Sequence, residues 1–127
     1  AMIQIRINAL RAAAGVQEGC GASRIAAERL RQINAEGYNA DHDGSHCEGE
    51  MAKAAACYAM PADTRKLCQS PPKYVGVPLW WPWWPHEWKP TPTDRIRELV
   101  KAGALIAAEI DRLTRVAAEA ASKAVPS

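Results

Sequence analysis

The sequence predicts a mainly α fold, a small single domain (residues 1–127) of about three principal helices with a long, ordered loop rich in proline and tryptophan. Apolar residues recur at helical spacing in three stretches. The chain has 127 residues, of which 48% are hydrophobic and 24% charged, as in one globular domain of ordinary size. A short N-terminal strand is an additional option, because Ile3, Ile5 and Ile7 alternate with polar residues.

Residues 22–61 predict a helix, a polar loop and a second helix. The first helix has Ser23 as its expected N-cap, runs to about Ala35 and stops at Gly37. The second begins between Ser45 and Glu48 and ends before Pro61. The spacing along the first helix predicts a buried apolar face of Ala26, Leu30 and Ile33. The opposite, solvent-facing side is predicted to carry Arg24, Glu28, Arg29, Arg31 and Gln32.

Residues 62–90 carry most of the prolines and all five tryptophans of the chain. A segment of this length without regular structure is usually functional or disordered, and five large rings argue against disorder. Alternating prolines hold the backbone near polyproline geometry, so successive rings point in different directions. We therefore expect some rings to fill the core and others to remain available to a ligand.

The last helix is predicted over residues 91–121, with Thr91 as cap and Pro92 in its first position. Its window 102–108 is apolar on all sides, which predicts a helix through the centre of the domain. Gly103 costs helix propensity, so we expect another backbone to approach it closely. The apolar residues at helical spacing are Ile96, Leu99, Val100, Gly103, Ile106, Ala107, Ile110 and Leu113.

Composition excludes several function classes. The formal net charge is only +2, and no run of like charges is present, which argues against binding of duplex nucleic acid. The longest apolar stretch is far shorter than the roughly 20 residues of a membrane span, and the N-terminus lacks a signal-peptide pattern. We therefore expect no membrane contact and a cytoplasmic location in the host cell. The four cysteines form no CxxC pair, which predicts free thiols in place of a zinc site.

Residues 38–50 gather histidines, carboxylates and a cysteine in one polar loop, for which three roles stay open. Asp43 or Ser45 can cap the second helix. The loop can instead recognise a ligand through Tyr38, His42, Asp43 and His46. The third role is a metal site or catalysis, since histidines four apart on a helix share one face.

A catalytic alternative uses Glu48, Glu50, Glu109 and Asp111 as ligands of Mg²⁺. The segment Glu48–Ala54 resembles one helix of the all-α nucleotide pyrophosphatases, which implies a metal-dependent nucleotide pyrophosphohydrolase. That family carries ExxE and ExxD pairs, whereas both acidic pairs here are two residues apart and point to different sides of a helix.

Three blocks of sequence resemble a family of small proteins encoded by phages and prophages, from which no activity can be carried over. The first block is residues 28–46, which contains Glu36-Gly37-Tyr38 and Asp41-His42-Asp43. The second is residues 49–59, which begins with Gly49-Glu50-Met51-Ala52. The third is residues 88–113, which begins with Trp88-Lys89-Pro90. The order of parts is also similar in layout to the ryanodine-receptor repeat domain. Gly37-Tyr38, the Asp41–Asp43 loop, Met51–Pro61 and Arg95–Leu113 take the matching positions. That similarity implies recognition of a nucleotide-derived signal.

The leading hypothesis is a phage-encoded module that sequesters or senses a small nucleotide-type signal of host immunity, with no cofactor. Trp83, Trp84 or Trp88 would stack on the base. Lys89, Arg95 or Arg97 would hold phosphate near the start of the last helix. The alternatives are the Mg²⁺-dependent hydrolase and an inhibitor that docks its tryptophans onto a host defence enzyme. A homo-oligomer is compatible with each.

Overall fold

The computed structural model describes residues 3, 5–6, 19–37, 48–69 and 75–124, and within them the chain is mainly helical. Its α-helices are α1 (Gly21–Glu36), α2 (Glu50–Ala59) and α3 (Arg95–Ala124). Short 3₁₀ turns at Ala62–Thr64 and Pro85–Glu87 lie in the Pro/Trp-rich segment. The predicted mainly α domain of three principal helices is confirmed. The optional N-terminal strand is wrong, because Ile3, Ile5 and Arg6 are helical.

The helix ends follow the local chemistry of the sequence. α1 stops at Gly37, which has the left-handed φ of 72° expected of a C-cap glycine. The helix begins at Gly21, ahead of the predicted N-cap Ser23. The Ser23 hydroxyl accepts the N–H of Gly19, which lies outside the helix, at 3.2 Å. α2 stops ahead of Pro61, as predicted. None of the helices within the described ranges combines the length and the apolar content needed to cross a membrane.

The start of α3 differs from the prediction. Asp94, and not Thr91, caps the helix, because its Oδ1 accepts the Arg97 N–H at 3.0 Å. Thr91 belongs to the preceding turn, in which the Asp94 N–H donates to the Thr91 carbonyl oxygen at 2.8 Å. Asp94 stands directly before the helix, so its carboxylate can reach the Arg97 N–H. The Thr91 hydroxyl instead donates to the Asp94 carbonyl oxygen at 3.2 Å.

The core forms where α3 packs against α2. Buried residues there are Ala54, Ala55 and Tyr58 of α2, and Ala102 and Leu105 of α3. Alanines allow the two helices to approach closely but bury little area each, so larger side chains must fill the remaining volume. Rings of the Pro/Trp-rich segment do this: Trp81, Trp83 and Trp88 pack against the cluster.

α1 turns a polar face inward, which contradicts its predicted burial. Glu28 and Gln32, expected in solvent, are each only 3% exposed. Leu30, expected in the core, is 58% exposed, and Ala26 is exposed as well. The inward carboxylate is tolerated because Arg97 of α3 reaches it across the helix pair at 2.7 Å.

α3 shows the same reversal. Leu99, Ile106, Ile110 and Leu113 were predicted to be central, but each is between 46% and 57% exposed. The buried side of the helix carries Glu98, Ala102, Ala104, Leu105, Ala108 and Arg112. Gly103 has a close neighbour, but it is the Ile25 side chain of α1 and not the predicted backbone: an added Cβ would lie 2.5 Å from the Ile25 Cδ1.

The Pro/Trp-rich segment is ordered where the structure describes it. The Cys68 N–H donates to the Val77 carbonyl oxygen at 2.8 Å, and the Leu79 N–H donates to the Lys66 carbonyl oxygen at 2.8 Å. These bonds hold residues 66–68 beside residues 77–79. The chain then leads into the tryptophans that pack against α2. Cys57 and Cys68 are free thiols, as predicted, and burial raises the pKa of Cys57.

Candidate functional site

A cavity of about 300 Å³ lies between α1, the core helices and the tryptophan-rich part of the chain. This volume is at the lower end of the range for small-molecule sites, about 300–1,000 Å³. The lining combines aromatic rings with groups of both charges. The residues are Glu28, Arg31, Gln32, Glu36, Tyr58, Trp81, Trp83, His86, Glu87, Lys89, Lys101 and Leu105.

Aromatic rings form one wall of the cavity. Trp81 meets Trp83 edge to face, with ring centroids 5.4 Å apart, and meets Tyr58 in the same way at 5.6 Å. Trp88 stacks behind Tyr58 at 4.7 Å. The Trp81 Nε1–H donates to the Trp84 carbonyl oxygen at 3.0 Å, which fixes the Trp81 ring. Because each ring is held by its neighbour, this wall is preformed.

Glu28 anchors the opposite wall. Arg31 donates to both of its oxygens, at 2.7 and 2.8 Å, and Arg97 adds a bond of 2.7 Å. Burial alone would raise the pKa of this carboxyl, but the hydrogen bonds from Arg31 and Arg97 outweigh burial and lower it to about 2. Glu28 is therefore a charged, fully engaged structural group at neutral pH.

Gln32 carries an open acceptor on the same wall. Its Nε2 donates to Glu28 Oε2 at 3.1 Å, and because a carboxylate accepts only, the amide orientation is fixed. The Gln32 Oε1 is buried and has no hydrogen-bond partner in the part of the chain that the structure describes. Leaving a buried acceptor unpaired costs about 1–3 kcal/mol. A donor placed against this atom would recover that energy.

Two lysines bring positive charge to the cavity. Lys101 Nζ lies 5.3 Å from the centre of the Tyr58 ring and donates to the Lys89 carbonyl oxygen at 2.9 Å. Burial, and then the charge of Arg97, lower the pKa of Lys101. The Tyr58 hydroxyl accepts the Lys89 N–H at 3.1 Å, which leaves its own hydrogen for another acceptor.

A second buried carboxylate, Glu98, ties this framework together. It accepts Arg65 at 3.1 Å, Arg95 at 3.2 Å and the Thr91 N–H at 3.1 Å. Arg65 also donates to the Cys57 carbonyl oxygen, and Arg95 donates to the Tyr58, Ala59 and Met60 carbonyl oxygens at the end of α2. Arg65 lies 5.1 Å from the Trp88 ring centre. Through Arg65 and Arg95, the Glu98 carboxylate thus links α2, α3 and the Pro/Trp-rich segment.

The structure describes six of the ten predicted ligand-binding residues, and two of them line the cavity. Trp83 and Lys89 line the cavity. Trp84 is mostly exposed, and Trp88 belongs to the aromatic packing behind Tyr58. Arg95 and Arg97 are engaged by carbonyl oxygens and by Glu28. Tyr38, His42, Asp43 and His46 lie outside the described residues.

The alternative metal set is not assembled. Glu109 pairs with Arg112 at 2.6 Å, and Asp111 pairs with Arg29 at 3.5 Å. Glu50 accepts the Glu48 N–H at the start of α2. Among the described residues, no group of three histidines, cysteines or carboxylates is placed to hold a metal ion.

Sequence reasoning missed Gln32, Tyr58 and Lys101 as site residues. The spacing of Glu28, Arg31 and Gln32 on one helix did indicate a local network, which was assigned to solvent. Lys101 stands beside the apolar window of α3, where a lone cation has no sequence signal of its own. The site as a whole brings together aromatic rings, lysine side chains and a buried amide oxygen without a partner among the described residues. Comparisons of the chain with protein-family models, curated proteins and solved structures found no match.

Proposed function

We propose that this chain binds a small, nucleotide-type ligand in the cavity without turning it over, as a module that sequesters or senses such a signal. The observation that carries the proposal is the buried, unpartnered Gln32 Oε1 in a cavity that also presents Trp83 and Lys101. An aromatic face and an acceptor suit the base of a nucleoside monophosphate, and a cation suits its phosphate.

The aromatic wall supports stacking of a base. Trp83 is only partly buried, so it has surface left to offer a planar ring. Base–aromatic stacking is worth about 1–3 kcal/mol per base. Because Trp81 braces Trp83 from the side, little side-chain entropy is lost when a ring binds.

The hydrogen-bonding pattern of the cavity favours an anion, although its lining carries three carboxylates and three cations. The carboxylates of the cavity are already engaged: Glu28 and Glu36 by Arg31, and Glu87 by the Trp84 N–H. Lys101 uses one of its three N–H donors on the Lys89 carbonyl oxygen, so donors remain for a phosphate. The Tyr58 hydroxyl lies beside them.

Gln32 would contact the edge of the base. Its unpaired acceptor requires a donor, which adenine and cytosine have as an exocyclic amine, guanine as an amine and N1–H, and uracil as N3–H. Binding is favoured over catalysis because each carboxylate in the cavity wall already accepts hydrogen bonds from the chain. None of them is poised as a general base.

Isothermal titration with AMP, CMP and UMP tests the proposal. We expect AMP or CMP to bind without turnover, and Lys101→Met to weaken binding at least tenfold. Lys53→Met removes an exposed lysine of α2 and serves as the matched control. The proposal fails if no nucleotide binds, or if Lys101→Met and Lys53→Met bind equally well.

A second candidate is docking to a host protein, favoured by the exposure of Trp80 (66%) and Trp84 (57%) at one end of the tryptophan-rich segment. Exposed tryptophans are frequent anchors of protein interfaces. A stoichiometric complex with a purified defence enzyme that Trp84→Ser abolishes and Lys101→Met preserves would support this function over nucleotide binding.

A further inference from the structure

A groove between α1 and the start of α3, which we call the α1–α3 groove, holds two adjoining cavities of about 450 and 300 Å³. The two cavities share Arg24, Ile96 and Val100. Aliphatic side chains from both helices make up much of the lining: Ile25, Ala27, Ile96, Leu99 and Val100. None of the described residues that line the groove is aromatic, so it lacks the stacking surface that Trp83 gives to the cavity beside Gln32.

The groove is a gap in the packing of the two helices, beside a point where they touch. The Ile25 side chain lies over Gly103 of α3, so closely that an added Cβ would be 2.5 Å from the Ile25 Cδ1. Next to this contact, Ile96 is still 58% exposed and Leu99 46% exposed. A gap bordered by both helices in this way suits a slender molecule, since a further α-helix is about 10 Å across with its side chains.

Three arginines and two carboxylates give the groove its charge. They are Arg24, Arg31, Arg97, Glu28 and Asp94. Both carboxylates already accept hydrogen bonds: Glu28 from Arg31 and Arg97, and Asp94 from the Arg97 N–H. Among the described residues, Arg24 donates only its Nε–H, which is bound by the Gly19 carbonyl oxygen at 2.7 Å. The N–H groups of its terminal nitrogens therefore remain available to an anion.

We propose that the α1–α3 groove binds a free medium-chain fatty acid, with the carboxylate at Arg24 and the alkyl chain along Ile96 and Leu99. Three arginines against two carboxylates leave one positive charge in the lining, which the single carboxylate of a fatty acid balances. The two carboxylates and the Gly19 carbonyl oxygen already accept hydrogen bonds, whereas N–H donors and hydrocarbon are open to a ligand. A peptide would bring backbone N–H groups that find no open acceptor, and an alkyl chain has no such group to satisfy.

The proposal does not depend on nucleotide binding. Gln32, Trp83 and Lys101 line the other cavity and neither part of the groove. Decanoate binding is therefore expected whether or not AMP binds, and the two proposals fail separately.

Isothermal titration with decanoate, octanoate and decyltrimethylammonium, each below its micelle concentration, tests the class of ligand. We expect decanoate to bind about fivefold more tightly than octanoate, because its additional methylene groups are partly buried in the open groove. Decyltrimethylammonium has the same alkyl chain and the opposite charge, so it should bind at least about tenfold more weakly than decanoate. Absence of decanoate binding, or equal affinities for decanoate and the cation, would overturn the proposal.

Two pairs of variants test the location of the site. Ile96→Asp places a carboxylate in the groove and should weaken decanoate binding at least about tenfold. Its matched control is Ile110→Asp, because Ile110 is 57% exposed on the same helix and lines neither cavity. Arg24→Gln removes the cation at the carboxylate and should weaken binding about fivefold. Arg6→Gln, which changes an exposed arginine outside the groove, is the control for that variant.

Circular dichroism establishes that each variant is folded. Because Arg24 is exposed, Arg24→Gln decides the question even where Ile96→Asp unfolds the chain. Equal decanoate affinities in Arg24→Gln and Arg6→Gln, or in folded Ile96→Asp and Ile110→Asp, would contradict the proposed site. Loss of decanoate binding in Lys101→Met would also contradict it, by placing the fatty acid in the aromatic cavity.

Discussion

Glu98→Gln should destabilise the fold more than any other single carboxylate change in the structure, because Glu98 joins three parts of the chain. The side chains of Glu98 and Arg65 are 1% and 5% exposed, so the substitution leaves a guanidinium buried without its counter-charge. Removing one partner of a buried pair costs about 3–5 kcal/mol. The Gln amide also cannot accept at both ends, so the Thr91 N–H or an arginine loses its acceptor.

The expected cost is at the lower end of that range. Arg65 keeps its bonds to the Cys57 and Tyr58 carbonyl oxygens, and Arg95 is 36% exposed and remains partly hydrated. We therefore expect the free energy of unfolding to fall by about 3 kcal/mol. For a chain of this length the melting temperature should fall by about 10 °C.

Urea unfolding at one fixed protein concentration measures this difference by linear extrapolation. Asp111→Asn is the matched control, because it removes a carboxylate that also pairs with an arginine but is 56% exposed. That change should cost less than about 1 kcal/mol. If Glu98→Gln lies within 1 kcal/mol of the native chain, roughly the error of the method, the structural role assigned to this carboxylate is refuted.

Two further predictions concern the helix pair α1 and α3. Gly103→Ala should lower stability by about 1 kcal/mol in urea unfolding, because the clash of its Cβ with Ile25 outweighs the gain in helix propensity. Gly21→Ala, which meets nothing within 4 Å, should be neutral or stabilising, and the reverse order would contradict the packing. The pKa of Glu28 is about 2, below its ordinary value of 4.5, so its contribution is complete above pH 4.5 and is lost as pH falls towards 2. In acid unfolding, the stability of Glu28→Gln should lack this part of the pH dependence. If its stability falls with pH as that of the native chain does, the pairing of Glu28 with its arginines is refuted.

Local chemistry made the C-terminal ends of α1 and α2 predictable from sequence, whereas the starts of α1 and α3 were not. Gly37 needs only its own left-handed conformation, and Pro61 excludes a continuing helix wherever the rest of the chain lies. The prolines of the Pro/Trp-rich segment predicted its lack of regular structure for the same reason, because each proline excludes a continuing helix at its own position. Each of these signals acts within a few residues of the feature it determines.

The faces of α1 and α3 could not be predicted in this way. Hydrophobic periodicity assumes that the apolar stripe faces the core, but Glu28 faces inward because an arginine 69 residues away neutralises it. Such a partner is visible only in three dimensions. The apolar stripe of α3 was detected correctly as a stripe, and its assignment to the chain's own core was wrong.

The site was predictable only in part for the same physical reason. Trp83 and Lys89 stood out because tryptophans and a cation cluster in one short stretch. The spacing of Glu28 and Gln32 indicated their pairing, but not the burial that leaves the Gln32 Oε1 without a partner among the described residues. Lys101 joins the cavity only because α3 lies across the Tyr58 ring.

The most direct test of the central claim compares AMP with purine riboside monophosphate, which lacks only the exocyclic amine. If that amine donates to Gln32 Oε1, isothermal titration should show AMP binding about tenfold more tightly, because an unpaired buried acceptor costs about 1–3 kcal/mol. Gln32→Met, whose thioether sulfur is only a weak acceptor, should bind the two ligands about equally. Equal affinities in the native chain, or a preference for AMP that persists in Gln32→Met, would contradict the account.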